Sequence, residues 1–159
     1  MIAWDVVRAW GHPLVRASHR TTFEITTEDR LTPQGDCIIA IRADKSAHAL
    51  APSFKSLASK GDTRIVIALR CGGATELVRA WGSASLTFED RKSIVVRRSS
   101  YVDARTVAVK SDKAAAHLNR ELVGNLQCAA PLLAVFVACR GCDDEEAAIA
   151  ALKLLERLI

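Results

Sequence analysis

The pentapeptide Val-Arg-Ala-Trp-Gly lies at residues 7–11 and occurs again, letter for letter, at residues 78–82. Five more identities follow at a constant shift of 68 residues: Ala40, Asp44, Lys45, Ala47 and Leu50 return as Ala108, Asp112, Lys113, Ala115 and Leu118. A repeat of this length exceeds a solenoid module and suits one supersecondary unit. The sequence therefore predicts two fused repeats, at about residues 6–73 and 76–141.

Each repeat has the hydrophobic pattern of three strands, a helix and a fourth strand. Residues 22–26 alternate apolar and polar side chains, which is typical of a half-buried strand. The fourth strands also align at a shift of 68, so that Ile65, Ile67 and Leu69 fall on Leu133, Val135 and Val137. Since a slip of one residue turns every side chain to the opposite face, this agreement supports both the alignment and the prediction of strands.

The helices are predicted from their end signals. We expect them near residues 52–60 and 120–127, with Pro52 in the first helical position, Asn119 as an N-cap and Gly61 as a stop. A third, amphipathic helix spans residues 143–159 and begins with four acidic residues, which the helix dipole favours. Its apolar face must cover the body of the protein or a partner.

Length and composition predict one globular unit. The 159 residues are 50% hydrophobic and 25% charged, and a half of about 70 residues would be marginal alone. We predict an α+β, β-rich fold: a pseudo-two-fold β-sandwich or barrel-like body of two β-β-β-α-β repeats over residues 1–142, plus the C-terminal helix. The sequence has no apolar run of membrane-spanning length and no signal-peptide pattern, so a cytoplasmic location is expected.

The charge of the chain is unevenly distributed. The net charge is +4, but the segment from residue 143 holds five acids and two bases. Without that segment the body has 20 bases and 13 acids, a net charge of +7. A basic body favours an anionic partner, such as a phosphate-bearing ligand or RNA. The basic residues form no long run, so ordinary surface charge is the alternative.

Two Asp-Lys pairs are the candidate anion site. Asp44 and Lys45 return as Asp112 and Lys113, each pair ahead of a predicted helix. The lysines, together with Arg105, could bind an anion alongside loop amides. Alternatively, each aspartate fixes a turn and each lysine is solvated.

A nucleophile, a base and an orienting acid occur close together in the first repeat. Cys37 could act as nucleophile, His19 as its base and Asp36 as the orienting carboxylate. Arg105 stands at the position of Cys37 in the second repeat, so such a site would be asymmetric or built across the repeats. The alternative is a buried cysteine that behaves as a small hydrophobic side chain.

Cys139 and Cys142 form a Cys-x-x-Cys motif between a strand and a helix. Inert thiols, a disulfide, half of a zinc site and a redox pair are all compatible with this spacing. The chain has no P-loop, dinucleotide-binding or zinc-protease motif, and no cofactor is predicted.

Three stretches resemble an archaeal family known as domain of unknown function 371: residues 19–22 (HRTT), 31–45 (LTPQGDCIIAIRADK) and 103–115 (DARTVAVKSDKAA). The resemblance covers about residues 6–138 and implies an archaeal, intracellular protein with a β-rich, sandwich-like body. It implies no activity. The chain departs from the family at Gly82-Ser83, where relatives carry Gly-His, which argues against an essential histidine there.

Three functions from different classes follow from these observations. The basic body and paired lysines favour a binding module for an anionic, phosphate-bearing ligand or RNA. The alternatives are a small hydrolase or transferase using His19, Asp36 and Cys37, and an assembly or scaffold protein that forms a homo-oligomer through the C-terminal helix.

Overall fold

A computed structural model describes residues 1–32 and 34–159 of the protein. Its strands are β1 (Ile2–Trp10), β2 (Thr22–Thr26), β3 (Ile38–Ala40), β4 (Thr63–Cys71), β5 (Ala74–Trp81), β6 (Ser93–Arg97), β7 (Thr106–Ala108) and β8 (Pro131–Arg140). Its helices are α1 (Pro52–Ala58), α2 (Arg120–Gln127) and α3 (Asp144–Leu158), with a 3₁₀ turn at Ala115–His117. The fold is mixed α+β and rich in strands.

The strands form two four-stranded sheets. The first has the order β1-β8-β4-β5 and is antiparallel, and the second has the order β3-β2-β6-β7. In the second sheet β2 and β6 are antiparallel, whereas β3 and β7 pair in parallel at the two edges. Strands β3 and β7 have three residues each, too few to continue the ladder from one sheet into the other, and the described residues form no closed barrel. The barrel-like alternative is therefore wrong.

One buried cluster joins the inner faces of both sheets with α1 and α2. Phe54 of α1 lies at its centre, with its ring edge-to-face against Phe136 of β8 at 6.1 Å and against Phe88 at 6.3 Å. Phe54 and Phe136 are fully buried. Burying two such side chains contributes several kcal/mol to folding.

Helix α3 covers the outer face of the first sheet and forms a second cluster there. Asp143 caps the helix by accepting a hydrogen bond from the Glu146 N–H at 2.8 Å, and the Glu146 carboxylate accepts one from the Asp143 N–H at 3.4 Å. The apolar face of the predicted amphipathic helix thus covers the body of the same chain, with Ala147, Ala151 and Leu155 buried.

The predicted alignment of β8 with β4 is wrong by one residue. Ile65, Ile67 and Leu69 face the central core, whereas Leu133, Val135 and Val137 point to the opposite side, toward α3. Backbone hydrogen bonds of the glycine that ends each pentapeptide show the cause. Gly82 donates to the Thr63 carbonyl and Gly11 donates to the Ala130 carbonyl, which relates β4 to β8 by 67 residues rather than 68.

The helix ends follow local hydrogen bonding. Helix α2 occupies the predicted residues, and the Asn119 side chain accepts from the Leu122 N–H at 2.7 Å, which confirms the N-cap. Helix α1 ends at Ala58, before the expected residue 60, so Gly61 is not its stop. Hydroxyl groups of Ser59 and Thr63 donate to carbonyls of the last turn and satisfy them there.

Candidate functional site

The first Asp-Lys pair is bonded to the edge of the first sheet. Asp44 exchanges two hydrogen bonds with the backbone of Arg8, each 2.9 Å long. The Lys45 ammonium lies 2.6 Å from Asp5 Oδ1 and 2.9 Å from the Val6 carbonyl. The positive charge of Lys45 is therefore matched by a buried carboxylate of β1.

The second Asp-Lys pair makes the same contacts at the other edge strand, β5. Asp112 exchanges hydrogen bonds of 2.8 and 2.9 Å with the backbone of Arg79. The Lys113 ammonium lies 3.1 Å from Glu76 Oε1 and 2.6 Å from the Leu77 carbonyl. The predicted anion-binding role of both lysines stays a prediction, and these internal ion pairs argue against it, because a ligand would have to displace a carboxylate.

Cys37 and Arg105 meet at one carboxylate on the outer face of the second sheet. The Cys37 thiol donates to Glu24 Oε1 at 3.6 Å, and Arg105 Nη1 lies 3.4 Å from the same oxygen. Arg105 also pairs with Asp103 at 3.0 Å, and Arg97 pairs with Asp103 at 2.9 Å. The structure thus brings residues 37 and 105 together. The Arg105 guanidinium already pairs with two carboxylates, those of Glu24 and Asp103.

The cluster shifts the pKa of its members in opposite directions. Burial, with the adjacent Glu24 carboxylate, raises the pKa of Cys37 to about 11. For Asp103, burial raises the pKa, but hydrogen bonds from Arg105 and Thr106 outweigh it and hold the value at about 2. At neutral pH Cys37 is a thiol, which is a poor nucleophile.

His19 and Asp36 approach each other through their backbones. The His19 N–H donates to the Asp36 carbonyl at 3.3 Å. The His19 ring accepts through Nδ1 from the N–H groups of Thr21 and Thr22, at 3.3 and 3.2 Å, and so caps a turn. Within residues 1–32 and 34–159 no hydrogen bond joins the side chains of His19, Asp36 and Cys37. Their catalytic role stays a prediction without a supporting geometry.

Cys139 and Cys142 form a disulfide between the end of β8 and the start of α3. Of the alternatives that the spacing left open, the structure has the disulfide. The described part of the chain holds no group of three or more His, Cys, Asp or Glu side chains placed to bind a metal ion.

A cavity of about 550 Å³ opens at the end of α3, on the outer face of the first sheet. Its wall includes Arg8 and Trp10 from β1, Arg70 from β4, Leu133 from β8 and the end of α3 at residues 158–159. We call it the Arg8–Arg70 cavity. Its volume lies within the range of small-molecule binding sites.

Strand register sets the two arginines of the cavity in one row. Arg8 pairs with Leu133, and Leu133 pairs with Arg70 on its other side. The arginines are therefore two strands apart, with Cα atoms separated by about 10 Å. Long side chains on the same face of the sheet can converge on one group between them.

The two arginines of this cavity differ in their bonding partners. Arg70 donates to the Thr75 hydroxyl at 3.2 Å, and the Arg8 guanidinium has no hydrogen bond or ion pair with any described residue. No side-chain carboxylate belongs to the described wall of the cavity. An anion bound here would gain two charge-assisted contacts without breaking an internal pair.

Sequence reasoning missed Arg8 and Arg70 as site residues. Arg8 is part of the repeated pentapeptide, but so is Arg79, and the sequence does not distinguish them. Arg70 joins Arg8 only through the pairing of three strands distant in sequence. The cavity also needs the end of α3 as a wall, and no local pattern shows where that helix docks.

Comparisons with known proteins identify relatives without an assigned activity. The profile of the family described as Domain of unknown function (DUF371) matches residues 7–139. The chain is similar to Uncharacterized protein MJ0206 of the archaeon Methanocaldococcus jannaschii, with 36% identity over 122 residues, 77% of this chain and 90% of that protein. In the structure, none of the helices among the described residues combines the length and apolar character needed to cross a membrane.

Proposed function

We propose that this chain, which belongs to the family described as Domain of unknown function (DUF371), is a binding module for a small anionic, phosphate-bearing ligand. The observation that carries the proposal is the row of Arg8, Leu133 and Arg70 in an open cavity whose wall, as far as the structure describes it, has no side-chain carboxylate. Both guanidinium groups suit phosphate, because their planar N–H forks bond two oxygens at once.

The other basic candidates support this choice by contrast. Lys45 faces Asp5, Lys113 faces Glu76, and Arg105 faces Asp103 and Glu24. Each of these cations would lose an existing partner on binding a ligand. The proposal therefore keeps the anionic ligand expected from the +7 body and assigns it to Arg8 and Arg70.

We also propose that the two halves of the chain are pseudo-two-fold copies. Three parallel sets of contacts support it. Trp10 bridges to Ile41 as Trp81 bridges to Val109, the two Asp-Lys pairs bond β1 and β5 alike, and both sheets place the matching strands about a central pair. A structure in which the two halves failed to superimpose would contradict this part of the proposal.

The experiment compares Arg8 with Arg79, the arginine at the same position of the second pentapeptide. Binding of inorganic phosphate is measured by calorimetry for wild type, Arg8→Gln, Arg70→Gln and Arg79→Gln. We expect each cavity variant to lose about 2 kcal/mol, or thirtyfold in affinity, and Arg79→Gln to match wild type. Equal effects of Arg8→Gln and Arg79→Gln, or none, would overturn the assignment.

RNA is the second anionic partner, and salt dependence tests it. If the basic body binds single-stranded RNA, affinity falls steeply with salt as counterions are released. A steep slope that is unchanged in an Arg8→Gln/Arg70→Gln variant would place an RNA surface outside the cavity.

A further inference from the structure

We infer that the ligand of the Arg8–Arg70 cavity is a soluble amphiphile, a phosphate monoester with one apolar chain. The inference rests on the proposed function and narrows it. Two features of the cavity carry it: a pair of cations at one place on the sheet, and an apolar wall that continues from them under the end of α3.

The cations fit one compact head group. Arg8 and Arg70 flank a single residue, Leu133, so their side chains can close on one phosphate between them. A phosphate monoester carries close to two negative charges at neutral pH, as the phosphate of a phosphorylated side chain does, and two guanidinium groups balance it. RNA would instead need a groove of cations following its backbone and aromatic platforms for successive bases.

The apolar wall is partly exposed to solvent. Trp10 is 45% exposed, Leu158 36% and Ile159 64%, although all three are large apolar side chains bordering the same cavity. Trp10 projects from β1 and the other two end α3, so an apolar chain lying between them would remove area on both sides from water. That burial favours binding in proportion to the area covered.

A homologous series tests the apolar part separately from the head. Inorganic phosphate, butyl phosphate, hexyl phosphate and octyl phosphate are titrated into the full chain by calorimetry. Each added methylene should raise affinity about fourfold, so each step of two carbons should raise it about fifteenfold. Arg8→Gln/Arg70→Gln should weaken every member of the series, and Arg79→Gln should weaken none.

The outcomes separate this inference from the proposed function. Equal affinity for inorganic phosphate and octyl phosphate, lost in the double variant, would overturn the amphiphile and leave anion binding standing. Absence of arginine-dependent binding for every compound would overturn both. Binding to vesicles of phosphatidylglycerol without binding to octyl phosphate would overturn the soluble ligand in favour of a membrane surface.

Two leucines of α3 provide a matched test of the wall. Leu158 and Leu152 are both 36% exposed, and Leu158 borders the cavity whereas Leu152 does not. Leu158→Ser should reduce octyl phosphate affinity about fourfold for each methylene that it leaves uncovered, with phosphate affinity unchanged. Leu152→Ser should leave both affinities at the wild-type value. An equal effect of the two variants would contradict the placement of the chain beside Leu158.

Discussion

The two copies of the pentapeptide have the same backbone contacts and different surroundings. At residues 78–82, Arg79 donates to Asp144 of α3 at 2.9 Å, and Trp81 lies beneath the guanidinium of Arg64 at 4.6 Å. At residues 7–11, Arg8 and Trp10 border an open cavity. The pentapeptide therefore specifies a sheet edge, whereas the position of α3 decides which of the two arginines is available to a ligand.

The neighbouring strands strengthen this difference. Arg8 shares its row with Leu133 and Arg70, whereas Arg79 shares its row with Val66 and Val137. The second end thus has two cations, Arg79 and Arg64, paired with one acid, Asp144. The first has two cations, Arg8 and Arg70, and no side-chain carboxylate in its described wall. The same pentapeptide therefore lies in two different electrostatic environments, and residues outside it cause the difference.

The largest expected effect concerns the glycine that ends each pentapeptide. A Cβ added at Gly11 would lie 2.0 Å from the Leu126 carbonyl oxygen, and one added at Gly82 would lie 2.3 Å from the Ala58 carbonyl oxygen. Because backbone atoms cannot move aside cheaply, Gly11→Ala and Gly82→Ala should each lower the free energy of unfolding by about 3 kcal/mol. Urea denaturation measures this.

Gly73→Ala is the control for the glycine variants. A Cβ at Gly73 would meet no atom within 4 Å, so its unfolding midpoint should stay close to that of wild type. If Gly11→Ala and Gly82→Ala also stayed there, the close approach of each pentapeptide to a helix end would be refuted.

The second prediction concerns the reactivity of Cys37, whose counterpart in the second half of the sequence is Arg105. With a pKa raised from 9.0 to about 11, Cys37 has at pH 8 a thiolate fraction about 100-fold below that of an ordinary thiol. Alkylation of Cys37, followed by peptide mass spectrometry, should therefore be slow at pH 8. Its rate should keep rising with pH through 10, where a free thiol has levelled off.

Glu24→Gln sharpens the thiol prediction. The variant removes the carboxylate that disfavours the thiolate, so the Cys37 pKa falls and alkylation at pH 8 accelerates. Rapid alkylation of wild type at pH 8, unchanged in Glu24→Gln, would show that the Cys37 environment is not the one described.

The third prediction concerns the lysine–carboxylate pairs at the two edge strands of the first sheet, β1 and β5. Lys45→Met leaves the buried carboxylate of Asp5 without its cation, and Lys113→Met leaves the partly buried carboxylate of Glu76 without its cation. We expect a loss of about 2 kcal/mol in each variant, and a similar loss in both. Thermal or urea unfolding measures the loss, with the exposed Lys153→Met as control. A loss confined to one variant would break the equivalence of the two edges.

The smallest effect is expected for the ion pair between Arg79 and Asp144, which distinguishes the surroundings of the second pentapeptide from those of the first. Asp144 is 47% exposed in its side chain and pairs with Arg79 in the first turn of α3. Asp144→Asn removes the exposed ion pairs with Arg79 and, at 3.9 Å, with Arg64, and one favourable helix-end charge, about 0.5 kcal/mol in total. A loss above 2 kcal/mol in thermal unfolding would mean that this pair anchors α3 rather than only occupying Arg79.

The sequence predicted those features that local patterns determine. The strand order of each half, the limits of α2 and the acidic start of α3 follow from periodicity and capping residues. The alignment of β8 with β4 did not, because their apolar residues also match in parity at a shift of 68, whereas the chain between α2 and β8 is one residue shorter than that between α1 and β4. Cys71 faces the central core and Cys139 faces α3.

The sequence predicted the positive charge of the candidate site but not its position. The excess positive charge of the body indicated an anionic partner. The repeated Asp-Lys pairs predicted Lys45 and Lys113 as its ligands, but both lysines face internal acids. Arg8, whose guanidinium bonds no other residue in the described part of the chain, lies in the same pentapeptide sequence as Arg79. Its availability depends on where α3 begins and ends against the sheet, which is a property of tertiary packing.

The indole N–H resonances of Trp10 and Trp81 test the central claim most directly, since both reporters lie in one molecule and in one pentapeptide. Butyl phosphate is added to the ¹⁵N-labelled protein and the ¹H–¹⁵N spectrum is followed to saturation. We predict a saturable shift of the Trp10 resonance and an unmoved Trp81 resonance. Equal shifts of both resonances, or saturation of binding with Trp10 unmoved, would contradict ligand binding in the Arg8–Arg70 cavity.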